Sequence, residues 1–284
     1  MRERGVDVEK MGFLNLFRSK QGNTKHTVDL RPYMDTYENK PMAVLVDLGL
    51  AKIAPSREYT RYVAVILPVT INEDQSPPVS EAESRVLRKI ESECMREARQ
   101  KDFLYAGNAI VIAAEHMFIA CYCKEKDKNK VVDALNRISA ANGKEPTRII
   151  VKQDREWKFY FDSLYPDIYR MQSIFHQEVI DDAKKHNDDG SKPRPVFFWL
   201  YFNSKEDAER CANEAGGDGF AMDHLEDMTG KKKAEGKPFV LTLRKEMPLN
   251  IEQMDADAAR LIDLVKKHNG EYDGIEAELA EPGK

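Results

Sequence analysis

Ile251, Met254, Ala258, Leu261, Ile262 and Val265 stand at offsets 0, 3, 7, 10, 11 and 14 with polar residues between them, a spacing that an amphipathic helix gathers onto one face. Asn250 precedes the run as an N-cap and "HNG" at 268–270 stops it. The next stretch, "EYDGIEAEL", alternates as a strand does. A helix with one apolar stripe has to cover a surface, and the strand beside it supplies a sheet. The same ending occurs at mid-chain. There "KNKVVDALNRISAANG" sets Val131, Leu135 and Ile138 on one face, stops at Gly143 and gives way to the strand-like "TRIIVKQD". Beyond this shared ending no residue-level repeat is present.

The rest of each half fits around its ending. In the first, "MAVLVDLGLAKI" and "YTRYVAVILPVTI" flank "APSRE" and predict a hairpin with a longer loop. Ser80 with Glu83 is a capping-box pattern before a helix whose stripe is Val86, Leu87, Ile90, Cys94 and Ala98. Two further strands, "YAGNAIVIAAE" and "MFIACYC", complete the order β-β-α-β-β-α-β. In the second half a leading helix, "YRMQSIFHQEVIDDAKKHND", carries Met171, Ile174, Phe175, Val179 and Ala183 on one side. "VFFWLYF" is apolar at every position and predicts a central strand buried on both faces. Ser204 with Asp207 opens a short helix, then "FAMDHLEDM" and "KPFVLTLRKE" form strands, so the half reads (α)βαββαβ.

The expected fold class is therefore α+β, two ferredoxin-like α/β sandwiches in tandem, the second with an antiparallel sheet. A length of 284 residues agrees with two domains. Residues 1–37 read as a flexible leader with a small apolar patch at Gly12 to Phe17, and translation starts at Met1 or at Met11. Residues 38–160 form the first domain and 161–284 the second. The aromatic segment "REWKFYFDSLYPD" marks the junction, with Trp157 and Tyr160 docking on the first domain.

Composition narrows function. Hydrophobic content of 42% with 33% charged residues describes a well-solvated globular protein. No apolar run reaches the ~20 residues of a spanning helix, so the cytoplasm is the expected location and no membrane partner is expected. The net charge of -5 is uneven: from Phe161 onward 17 basic residues face 26 acidic ones, leaving the first 160 residues at +4. An acidic second half repels phosphate backbones, which argues against direct nucleic-acid binding, and attracts a basic partner. The basic runs "KEKDKNK" and "KKK" lack interleaved aromatics for stacking bases. Cys94, Cys121, Cys123 and Cys211 form no C-x-x-C pair and read as buried reduced thiols. No catalytic, cofactor-binding or metal-binding motif appears: "GGDGF" follows a helix and reads as its cap, and the acids of "DDAKKHNDDG" around His186 read as a solvated face. No enzymatic activity and no cofactor are expected.

The closing strand is the candidate binding element. Alternation sends Asp273, Ile275, Ala277 and Leu279 toward the helices and displays Tyr272, Gly274, Glu276 and Glu278 on the other side, with a bulge at the glycine. The bland alternative is an edge strand whose charges prevent pairing with other chains. The leading helix, "FFWLYFNSKEDAERCANEAGGDGF" and the helix followed by "GEYDG" resemble the bacterial regulator of ribonuclease E activity B over residues 165–282. Members often continue tyrosine-aspartate-glycine with tryptophan, where Ile275 stands here. The first half resembles an uncharacterised bacterial domain that recurs in front of this regulator domain. The resemblance implies a ferredoxin-like fold, no chemistry, and docking on a ribonuclease scaffold region, with Tyr272, Asp273, Gly274, Glu276 and Glu278 as candidate contacts. Two other readings stay open. One is a small-molecule or enzymatic site in the cleft between domains, built from Asp273, Glu276, His224 or His116; the other is a homo-oligomer that pairs exposed sheet faces.

Overall fold

The computed structural model describes residues 26–72, 74, 78–229 and 236–279, which fall into two units divided between Arg170 and Met171. The early leader, with Met11 and the Gly12 to Phe17 patch, and the "KKK" tip lie outside the described residues.

In the first unit, β1 (Leu30–Tyr37), β2 (Lys40–Asp47), β3 (Arg61–Pro68), β4 (Leu104–Val111), β5 (His116–Cys123) and β6 (Arg148–Gln153) form an antiparallel sheet in the order β1-β2-β4-β5-β3-β6. Helices α1 (Glu81–Lys101) and α2 (Lys128–Ala141) bury their predicted stripes on one face. There Leu87, Ile90, Val131, Leu135 and Ile138 share a core with Val63, Val65, Leu67, Ile119 and Cys121. Burial of each such side chain stabilises by about 1.5–3 kcal/mol, so the stripes rather than intrinsic propensity hold the helices in place. Ser80 caps α1 by accepting from the Glu83 N–H, but the Glu83 carboxylate turns away from the box and accepts from Thr70 N and from Lys144.

Two expectations fail in this unit. Residues 30–37, assigned to the leader, form β1, paired over its whole length with β2. The expected β2–β3 hairpin does not exist: β2 pairs with β1 and β4, while β3 lies between β5 and β6. Asp47 ends β2 by accepting from Gly49 N at 3.0 Å, which tips the chain into a 3₁₀ turn (Leu48–Lys52) with Leu50 fully buried. A β-carbon on Gly49 would lie 1.9 Å from the Thr27 carbonyl oxygen, so the turn closes only around glycine.

The face of this sheet opposite α1 and α2 is roofed by the aromatic segment. Trp157 stacks on Tyr122 at 3.9 Å between centroids and Phe159 on Tyr62 at 4.5 Å. Trp157 Nε1 donates to Tyr59 O, Tyr160 OH to Asp47 O and Tyr33 OH to Leu164 O. The roof contains a short helix, α3 (Lys158–Ser163), and the unit continues past it to Arg170.

In the second unit, β7 (Arg194–Phe202), β8 (Ala221–Asp227), β9 (Phe239–Met247) and β10 (Glu271–Ala277) form an antiparallel sheet in the order β10-β7-β9-β8. Counted along each β-α-β-β-α-β run, both sheets place their strands fourth, first, third, second, since β6-β3-β5-β4 repeats this order with β2 and β1 added beyond β4. Helices α5 (Lys205–Gly216) and α6 (Ile251–Lys267), capped by Ser204 and Asn250, bury Ala208, Cys211 and Ala215 and Met254, Ala258, Leu261, Ile262 and Val265, while Ile251 of the expected stripe is half-buried. β7 is not buried on both faces: Val196, Phe198, Leu200 and Phe202 are buried, whereas Phe197, Trp199 and Tyr201 are half-buried. An all-apolar strand conceals the pleat that sorts its side chains between two environments.

Candidate partner-binding surface

Among the described residues β10 pairs only along β7, and its register explains which side chains it shows. Tyr272 faces Leu200, Ile275 faces Phe198 and Ala277 faces Val196, all on the helix side, while Gly274 lies opposite Trp199 and Glu276 opposite Phe197 on the outer side. The register shifts between Tyr272 and Gly274, so Asp273 is taken up in a bulge. One extra residue reverses the alternation before it. Tyr272, expected on display, is 3% exposed, and Asp273, expected toward the helices, accepts from Tyr201 OH on the outer side. Gly274 sits at φ +148, a conformation that residues with a β-carbon rarely adopt.

The leading helix, α4 (Ile168–Lys185), lies against α6 and β10. Ser173 Oγ and His176 Nδ1 both meet the Asp255 carboxylate at 2.7 Å, and a β-carbon on Gly274 would come within 3.8 Å of Gln172 Oε1. Burial, then the nearby carboxylates Asp257, Asp273 and Asp255, push the Tyr272 hydroxyl far above its ordinary range. Burial and Asp273 push Tyr201 up to about 12. Both phenols are therefore neutral contacts at ordinary pH.

Outward of this packed seam, α4 and the end of β10 bound a groove of about 360 Å³. Phe175, Val179, Ile275 and Leu279 give it an apolar lining, and Glu178, Asp182, Glu276 and Glu278 give it four carboxylates. Of the expected contact residues, Glu276 and Glu278 line this groove; Tyr272, Asp273 and Gly274 do not, and instead shape the strand leading into it. The α4 wall was not foreseen as a site. Its signal lay in the stripe: Met171, Ile174 and Ala183 are buried, while Phe175 and Val179 are only half-buried.

The other candidates are dispersed. His224 lies on β8, at the opposite sheet edge from Asp273 and Glu276, and His116 belongs to the first unit. Among the described residues no three His, Cys, Asp or Glu side chains gather as metal ligands, and no helix is long and apolar enough to cross a membrane. The four cysteines are buried and unpaired, with burial raising Cys94 and Cys211 to about 12 and Cys123 to about 11. Buried thiols held in the neutral form are poor nucleophiles.

Residues 173–277, which contain α4 from its second turn and the whole second sheet, match the family model described as Regulator of ribonuclease activity B. Residues 31–165 match the Family of unknown function (DUF695). Over residues 173–277 the chain is similar to regulators of ribonuclease activity B. A curated relative, "Regulator of ribonuclease activity B" from Haemophilus influenzae, is 30% identical over 102 residues, covering 34% of this chain and 63% of that protein. The chain thus spans somewhat less than two thirds of that relative's length. A solved structure of an unknown protein from Galdieria sulphuraria aligns over 77% of this chain and 98% of its own at 10% identity, with a TM-score of 0.21. The matched stretch begins and ends within the groove's two walls, α4 and β10.

Proposed function

We propose that the chain is a non-enzymatic regulator that works by holding a basic segment of a protein partner in the groove between α4 and β10. The observation that carries this reading is the pairing of an apolar lining with four carboxylates in one groove. Such a groove complements an amphipathic segment with apolar anchors and flanking Lys or Arg, the helix-in-groove mode of recognition. The acidic second half adds long-range attraction. The relative's name supports a ribonuclease system as the setting, and within such a system a basic, RNA-binding scaffold region would be the partner class with the required charge. Occupying such a region would compete with RNA for it, and so regulate without chemistry.

The test is binding of the full chain to a purified ribonuclease scaffold region at rising salt. Affinity should fall at least about tenfold between ~0.05 and ~0.5 M salt, as the Debye length shortens. A Glu178→Gln/Glu276→Gln/Glu278→Gln variant should bind more weakly with an unchanged melting temperature. Absence of binding, or binding indifferent to both salt and the triple variant, would refute the groove as the contact.

A further inference from the structure

We propose that the first unit binds an organic cation of the alkylated-ammonium class in a cavity between its sheet and the aromatic roof. The cavity measures about 430 Å³, and its lining comes from two sources. Alternate residues of β1, Tyr33, Asp35 and Tyr37, share one face of the sheet. Their register carries that face onward: Asp35 lies opposite Met42, Met42 opposite Val111 and Val111 opposite His116, with Phe118 two residues further along β5. The roof contributes Phe159, Asp162, Ser163 and Tyr165.

Five aromatic rings and two carboxylates therefore meet in one cavity. Aromatic faces carry negative quadrupole charge and attract a cation whose charge is spread over apolar substituents, while a strongly hydrated metal ion or a bare ammonium gains less from them. The roof is held rigidly. Phe159 is fixed by stacking on Tyr62 and by an edge contact with Phe118 at 5.8 Å, and Tyr33 by its hydrogen bond to Leu164 O. A preformed wall costs a ligand little ordering entropy.

The charge favours the same ligand. Asp35 is paired with Arg170, which also binds Asp167 at 2.7 Å. Asp162 is exposed and makes no ion pair or hydrogen bond among the described residues, so a carboxylate is left at the cavity's edge to face an incoming cation. The α4–β10 groove differs in kind: it belongs to the other unit, and Phe175 is its one aromatic wall residue. The two proposals can therefore fail separately.

The experiment is titration of the full chain with choline, with its neutral isostere 3,3-dimethylbutan-1-ol, and with a short peptide bearing trimethyl-lysine, followed by calorimetry and tyrosine fluorescence. Choline should saturate the chain and bind at least about tenfold tighter than the isostere, since the difference isolates the cation–π and charge contributions. Saturation by choline identifies a free small cation as sufficient; binding of the peptide alone places the same chemistry on a modified protein side chain. Asp162→Asn should weaken the bound cation about threefold and Tyr37→Ala about threefold to tenfold. Both positions are exposed, so melting temperatures should not change. No saturable binding by either cation, equal affinity for the isostere, or affinity indifferent to both substitutions would overturn the proposal.

Discussion

Gly143 and Gly270 end helices in sequences that look alike, yet their backbones need glycine for different reasons. Gly143 sits at φ +72 with open space around it. At the second ending the left-handed residue is Asn269, at φ 55, and a β-carbon on Gly270 would enter the Phe202 ring at 2.5 Å. Gly270→Ala should therefore destabilise by about 1–3 kcal/mol through overpacking, measured as a shift in urea midpoint. A midpoint unchanged by that substitution would mean the ring yields. Tyr272 offers the opposite case. Its hydroxyl is buried without a hydrogen-bond partner among the described residues, so Tyr272→Phe should leave stability unchanged or raise it by up to about 1 kcal/mol. A clear loss in the same denaturation assay would show that the hydroxyl is satisfied. Sequence located both residues at the right turn and strand. Their roles were illegible because a close ring and a bulge are tertiary facts with no periodic signature.

At the level of elements, the end of α4 shows where spacing arguments stop. The acids of "DDAKKHNDDG" read as a solvated face, and Asp181 and Asp182 are indeed exposed. Asp188 is not: beyond the helix end at Lys185, Asn187 at φ 61 and Gly190 at φ 75 turn the chain back, and Asp188 meets Arg194, both nearly buried. Asp188 Oδ1 accepts from Arg194 Nη2 at 2.9 Å and from Gly190 N at 3.0 Å, and Arg194 Nη1 donates to the Glu278 carbonyl. The pair thus ties the start of β7 to the end of β10, beside the groove. Asp188→Ala leaves a guanidinium buried without its counter-charge, and should cost about 3–5 kcal/mol by chemical denaturation. If the loss stays under about 1 kcal/mol, the arginine has found water or another partner. The helices were legible because their stripes are periodic and their caps local. Strand pairing was not: β2 and β3 are neighbours in sequence, but a buried turn carries them three places apart in the sheet.

At the scale of the molecule, the doubled β-α-β-β-α-β order was the most legible feature, because it follows from element types in sequence. β1 escaped because Pro32, Asp35 and alternating exposed positions make it a polar edge strand that resembles a leader. The same folding buries phenols in both units, and that sets a limit on alkaline stability. Tyr105, Tyr122 and Tyr160 in the first unit and Tyr272 in the second are nearly or fully buried, and burial is the first cause raising each above the ordinary tyrosine range. In the unfolded chain these phenols ionise near their ordinary value of 10.0, while in the folded chain they keep their protons. Above that value the unfolded state binds fewer protons than the native one, so the phenols' contribution to stability is fully present below about pH 10 and is lost as pH rises beyond it. Each such group steepens the fall by up to about 1.4 kcal/mol per pH unit. The buried thiols begin the trend earlier, since Cys94 and Cys121 are raised from an ordinary value of 9.0. Urea midpoints measured from about pH 8 to pH 11 should therefore be flat at first, decline from about pH 9 and drop steeply past pH 10, with tyrosinate absorbance appearing together with unfolding. Tyrosinate absorbance that develops while the chain remains folded would show these phenols to be open to solvent, and the packing of both sheets to be looser than described.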